Sequence, residues 1–155
     1  MALRLGACLR NSPDQVRAAE VRDVARAAVK AALGTDCYFP EAALAGGDVA
    51  VLAVPVNLIG QVMTSIDPLL KAGMMLVSLD AAALYAGHLP ERPDLTHFIT
   101  HPCHPPIFND ETDMAAKKNY FGGIAAKQHI VSALIEEPES DYAKGEALPA
   151  RFGLL

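Results

Sequence analysis

Two largely apolar runs on either side of one amphipathic stretch constrain the fold of this chain more than any other feature. The first run, residues 48–54, is apolar after Asp48 and ends at Pro55, and the second, residues 74–79, is apolar except for Ser78. Strands that are covered on both faces of a parallel sheet have such continuous apolar sequences. Residues 57–71, between the runs, place apolar side chains at helical spacing, with Asn57 as a candidate cap. The order strand, helix, strand predicts an α/β protein with a wound parallel sheet.

The sequence predicts two further strands, at residues 96–100 and 130–135, and a helix at residues 140–148. Right-handed crossovers bring the carboxyl ends of parallel strands to one edge of the sheet, where ligands bind. We therefore expect Pro55 and the segment that begins at His101 to lie on the same edge. Asp80, which follows the second strand, should lie there too, or bond the backbone amides of the turn at residues 81–83.

The amino-terminal third is ambiguous. Residues 1–10 fit either a strand or a short helix. Residues 14–33 are rich in Ala, Arg and Val, which favours one long helix that starts at Ser12-Pro13 and stops at Gly34. The alternative is a strand at residues 16–21, followed by a helix at residues 22–33.

Composition excludes several classes of protein. The 155 residues suit one domain, and 52% hydrophobic with 20% charged residues indicates a globular chain. A net charge of −5 argues against a nucleic-acid partner. No apolar run approaches the roughly 20 residues of a membrane span, and the amino terminus does not have the pattern of a signal peptide. Three cysteines without paired spacing favour the reducing cytoplasm.

The segment His101-Pro-Cys103-His104-Pro-Pro concentrates the reactive side chains of the sequence. Histidine titrates near neutrality, so His101 or His104 is a candidate base for an alcohol oxidation. The same two histidines are candidate ligands of a divalent metal such as zinc, which would polarise a carbonyl. The third alternative is a stiff loop with no chemical role, in which the prolines fix the backbone. Cys103 fits a small, partly buried thiol better than a nucleophile.

Five segments together resemble a family of NAD-dependent sugar-acid dehydrogenases related to 6-phosphogluconate dehydrogenase. They are residues 48–55, 79–87, 89–92, 101–111 and 122–129, of which 101–111 is the most specific. The resemblance implies a Rossmann-like, doubly wound parallel sheet that lacks its amino-terminal strand. It also implies NAD as cofactor, a small sugar acid as substrate, and a cytoplasmic homodimer in the full-length enzyme.

The resemblance also assigns cofactor-binding roles. It makes residues 1–9 a helix and residues 16–21 a strand, and it places Glu20 where an acidic residue bonds the adenosine ribose, which favours NAD. Val54 and Pro55 would pass close to the cofactor, and Asn57 would donate to a phosphate or ribose. The alternatives are a solvated carboxylate for Glu20, a strand end for Pro55 and a plain helix cap for Asn57.

Two departures from the family concern its ends. The sequence contains no G-x-G-x-x-G, the turn that cradles a dinucleotide pyrophosphate. We therefore expect residues 1–148 to form a partial dinucleotide-binding domain, followed by a divergent tail at 149–155, with the C-terminal helical domain absent. The alternative function is a non-catalytic metal-binding or interaction module, or an inactive fragment.

Overall fold

The computed structural model describes residues 2–10, 12–103, 112–117, 129–135 and 139–151. The described helices are α1 (Ala2–Leu9), α2 (Asp23–Leu33), α3 (Pro40–Leu44), α4 (Ile59–Ile66), α5 (Ala82–Tyr85), α6 (Met114–Lys117) and α7 (Ser140–Arg151). The described strands are β1 (Ala18–Ala19), β2 (Cys37–Tyr38), β3 (Val49–Leu52), β4 (Met75–Ser78), β5 (Thr96–Pro102) and β6 (Ile130–Leu134). This confirms the α/β class.

The strands form two sheets. The larger has the order β3-β4-β5-β6, and the smaller pairs β1 with β2 in parallel. β3, β4 and β5 are parallel, as the sequence predicted, but β6 runs antiparallel to β5, with Phe98 opposite Leu134. The expectation of an entirely parallel sheet is therefore wrong for its last strand. An apolar strand pattern carries no information about strand direction, so the sequence could not distinguish the two arrangements.

Helices cover both faces of the larger sheet, which confirms the doubly wound arrangement. On one face, Ala50 and Leu52 of β3 pack in a cluster with Ile59, Met63 and Ile66 of α4. The opposite face contains two further clusters, to which α1 contributes Leu5 and α7 contributes Leu148. Because it lies between these layers, β4 is buried along its whole length. Its burial explains the continuous apolar run from which the strand was predicted.

The amino-terminal third follows the alternative that the family resemblance favoured. Residues 2–9 form α1, and the long helix expected to start at Ser12 is absent, because residues 13–17 are not helical. A two-residue strand, β1, precedes α2, which ends at Gly34 in a left-handed conformation with φ of 65°. Ala-rich sequence favours a helix by propensity, and pairing of Ala18 with Cys37 outweighs that preference here.

The segment after β3 begins with a 3₁₀ turn, Val56–Leu58, rather than with a helix capped by Asn57. Neither this turn nor α4 has a side-chain cap, so the predicted capping role of Asn57 is wrong. Pro68 lies in a second 3₁₀ turn, Asp67–Leu69, in which the helical segment ends, whereas the sequence predicted helical spacing to residue 71.

The last helix, α7, packs closely on β5. A Cβ atom added to Gly145 would lie 2.4 Å from the ring of Phe98, which is itself 1% exposed. Tyr142 contacts the same ring edge to face, with centroids 5.9 Å apart. α7 continues through Pro149 to Arg151. Within the described part of the chain, every helix is too short or too polar to span a bilayer.

Candidate functional site

A pocket of about 260 Å³ opens at the carboxyl ends of the three parallel strands. The residues that line it are Leu52, Ala53, Val54, Pro55, Val56, Ile59, Leu79, Asp80 and His101. These residues come from the end of β3 and the segment after it up to the start of α4, from the two positions after β4, and from the end of β5. The topology of a wound sheet brings these strand ends together. The prediction that Pro55 and His101 lie on the same edge is therefore confirmed.

His101 is held by β5 on one side and by a backbone carbonyl on the other. Its neighbours Thr100 and Pro102 are buried, whereas the His101 side chain is exposed at the pocket. The His101 Nδ1 atom lies 2.9 Å from the carbonyl oxygen of Leu79. A carbonyl oxygen can only accept, so Nδ1 carries the proton and donates it. In the neutral ring, Nε2 then bears the lone pair, as a base or a metal ligand requires.

Asp80 supplies the second polar side chain of the pocket. Its Oδ1 atom accepts a hydrogen bond of 2.8 Å from the amide of Ala82, in the turn that begins α5. Both sequence-based expectations for Asp80 are therefore met, since it lies at the ligand edge and also bonds the following turn.

The segment after β3 contributes apolar wall. Val54 is half-buried and Pro55 is exposed, and both line the pocket. Asn57 is exposed in the 3₁₀ turn and is not among the lining residues. The structure thus brings Val54 and Pro55 to His101, but it does not bring Asn57 there.

Glu20 follows β1 and is organised by its neighbours. Its Oε1 atom accepts from the amides of Val21 and Arg22, at 3.0 and 3.1 Å, and from the Arg22 guanidinium. The side-chain hydrogen bond from Arg22 is the main reason that the pKa of Glu20 lies below its ordinary value, although partial burial opposes it. The carboxylate is thus ionised and fixed at a strand end, outside the pocket that contains His101.

The metal hypothesis finds limited support in the described residues. His104, the second predicted ligand, lies outside them. The Cys103 thiol lies 3.8 Å from the His101 carbonyl oxygen. In residues 2–10, 12–103, 112–117, 129–135 and 139–151, no three His, Cys, Asp or Glu side chains could together hold a metal ion. Among the described residues, His101 is the one predicted metal ligand, and Nε2 is the ring nitrogen that could bind the metal.

Two contributors to the site were not predicted from sequence. The Leu79 carbonyl orients His101, and Ile59 of α4 lines the pocket. A backbone carbonyl leaves no signature in a sequence. Ile59 belongs to the apolar face of a predicted helix, so only its position at the helix start could have indicated its role.

The fold and the position of the pocket define the class: a Rossmann-like α/β domain of the kind found in NAD-binding dehydrogenases. A crystal structure of a semialdehyde dehydrogenase NAD-binding protein from Cupriavidus necator, in complex with calcium and NAD, superposes with a TM-score of 0.86 at 49% identity. The superposition covers 99% of this chain and 56% of that one.

Sequence comparison is more specific, and it confirms the resemblance. The chain is similar to the D-apionate oxidoisomerase of Rhizobium rhizogenes, with 55% identity over 96% of this chain and 54% of the relative. The enzyme of the same name from Cupriavidus necator is 51% identical over the same shares. Residues 109–151 match the family described as "Phosphogluconate dehydrogenase (decarboxylating) C-term". The chain therefore spans about half the length of the curated relatives it matches.

Proposed function

We propose that this chain forms the nicotinamide end and base-bearing part of an NAD-dependent oxidoreductase that acts on a small sugar acid. The observation that carries the proposal is the His101 imidazole, fixed by the Leu79 carbonyl with Nε2 as its acceptor in a pocket at the ligand edge of the sheet. Similarity to D-apionate oxidoisomerases supports the choice of a branched or linear sugar acid as the substrate class.

The chemistry assigned to the chain is proton removal. NAD, when bound, supplies a hydride acceptor for the carbon that bears the substrate hydroxyl. His101 Nε2 takes the hydroxyl proton, and the resulting imidazolium keeps its bond to Leu79 because Nδ1 is already a donor. His104, the second predicted base, is the alternative proton acceptor in the same segment. Val54, Pro55 and Ile59 supply apolar lining beside the site of this step.

The proposed cofactor contacts lie at two places. Glu20 accepts from the adenosine ribose hydroxyls, and its ionised carboxylate disfavours a 2′-phosphate. Val54 and Pro55 let the cofactor approach the backbone, and Asn57 donates to a phosphate or ribose from the adjoining 3₁₀ turn. Because the sequence has no G-x-G-x-x-G, we assign pyrophosphate binding to the portion of the relatives that this chain does not cover.

The proposal extends to assembly and surroundings. We propose a cytoplasmic enzyme that is a homodimer at full length and whose partner is the sugar acid, with neither nucleic acid nor a membrane among its ligands. The net charge of −5 supports the absence of a nucleic-acid partner, and the three free cysteines support the cytoplasm. The homodimer rests on the family resemblance alone.

The test is reduction of NAD by D-apionate, followed at 340 nm, in a purified protein that joins these 155 residues to the portion of a D-apionate oxidoisomerase that the chain does not cover. We expect turnover with NAD and much weaker turnover with NADP. A lactate control distinguishes a sugar-acid enzyme from a general 2-hydroxy-acid enzyme. Absence of NADH formation with D-apionate and with a panel of four- and five-carbon sugar acids would refute the proposed activity.

A further inference from the structure

Few of the side chains that line the pocket are polar. Of the described residues that line it, Asp80 and His101 alone have polar side chains. The two are linked through the backbone, because Leu79, whose carbonyl holds His101, directly precedes Asp80. His101 already has a proposed role as the base that accepts the hydroxyl proton, whereas the carboxylate of Asp80 has no role in that step.

The contacts of Asp80 leave acceptor capacity at the pocket. The amide of Ala82 is its hydrogen-bond partner among the described residues, and no described Lys, Arg or His forms an ion pair with it. An ionised carboxylate offers about four lone-pair sites on its two oxygens. The Ala82 amide therefore fixes one oxygen in the turn, and the rest of the carboxylate can accept hydrogen bonds from a ligand.

We propose that Asp80 is a specificity-determining residue that accepts hydrogen bonds from the hydroxyl groups of a polyhydroxy ligand. This inference rests on the proposed function and deepens it. An acceptor-only group that has no cationic partner among the described residues selects hydroxyl donors and repels a carboxylate. Asp80 therefore orients a sugar acid with its hydroxyl end toward β4 and its carboxylate away from it. The ribose of the cofactor presents the same hydroxyl chemistry, so the experiment must separate the two sources.

The test is Asp80→Asn in the protein that joins this chain to the uncovered portion of a D-apionate oxidoisomerase, with Asp48→Asn as the matched control. Asparagine keeps an oxygen that can accept from Ala82, so the turn is retained, but the charge is lost. Asp48 undergoes the same chemical change at the start of β3, at the opposite end of the sheet, where it pairs with Lys71. Melting temperatures of both variants show whether the fold is intact.

Losing a charge-assisted hydrogen bond should weaken binding of the affected ligand about 10-fold or more in Asp80→Asn. A higher KM for D-apionate with an unchanged Kd for NADH identifies a substrate hydroxyl. A higher Kd for NADH, measured by fluorescence titration without substrate, identifies the ribose. Asp48→Asn should change neither constant.

The inference is overturned if Asp80→Asn leaves both constants unchanged, or if Asp48→Asn changes them equally. These outcomes differ from failure of the proposed function, in which the unmodified protein gives no turnover with any sugar acid. In that case the role of Asp80 is tested by NADH titration alone. Equal NADH affinity of the unmodified protein and Asp80→Asn, including no binding by either, overturns the assignment.

Discussion

Replacing His101 separates a chemical role from a structural one, because the structure assigns its two ring nitrogens different tasks. Nδ1 donates to the Leu79 carbonyl, and Nε2 is the proposed proton acceptor. In His101→Asn, the side-chain amide nitrogen takes a position close to that of Nδ1 and can still donate to Leu79. The variant therefore keeps the structural contact and removes the base.

The expected magnitudes of the two effects differ widely. Loss of the base should lower kcat by roughly 10²- to 10⁴-fold. This corresponds to about 3–5 kcal/mol of transition-state stabilisation. Loss of the hydrogen bond in His101→Ala should cost only about 1 kcal/mol of stability. For a domain of this size that is roughly 2–4 °C in Tm. His101→Asn should show the kinetic loss with almost none of the thermal loss.

The assay is steady-state NADH formation at 340 nm, with Tm measured on the same samples. His88→Asn is the matched control, since His88 is exposed, lies where a Cβ added to Gly60 of α4 would be 2.9 Å from its Nδ1, and is not among the pocket-lining residues. If His101→Asn retains more than about half of the turnover, His101 is not the base. If kcat falls only in proportion to the folded fraction in His101→Ala, the histidine is structural.

Four further outcomes test the remaining assignments. Glu20→Gln should raise the Kd for NADH severalfold and improve use of NADP, as isothermal titration with each cofactor would show, because the carboxylate charge is lost. The isolated 155 residues should bind NAD weakly or not at all, and a micromolar Kd would contradict the partial-domain interpretation. If His101 and His104 hold a metal, a chelator should abolish turnover and zinc should restore it, whereas unchanged activity after chelation would exclude that role. Gly145→Ala should lower the free energy of unfolding by about 1–3 kcal/mol in denaturant titration, because its Cβ would overlap the buried Phe98 ring.

The strands at the centre of the fold were predictable because their environment determines their composition. β3 and β4 lie between two helical layers, and continuous apolar sequence is the direct result. β1 was not predictable from local sequence, because Ala18 and Ala19 favour helix and become strand only by pairing with β2. The direction of β6 was equally inaccessible, since pairing with β5 in either sense would bury the same residues.

The parts of the site that follow from the order and direction of the strands were predictable from the sequence. Pro55 and His101 were placed correctly because parallel strands share a carboxyl edge, and that rule needs no side-chain detail. The capping role of Asn57 was predicted wrongly because cap preference is a local rule, and here a 3₁₀ turn precedes the helix. The orientation of His101 depends on the Leu79 carbonyl, whose position arises only from the register of β4 beside β5.

Strand pairing, rather than the prolines, accounts for the position of the described part of the histidine segment. β5 has β4 on one side and antiparallel β6 on the other, and pairing with β6 extends through His101 to Pro102. The amide of Cys103 then donates to the carbonyl of His129, one residue before β6 begins. His101 thus stands on a backbone fixed by β6, with its ring held by the residue that follows β4. A base positioned by two neighbouring strands needs no loop closure to reach its orientation, so its geometry should already exist before substrate binds.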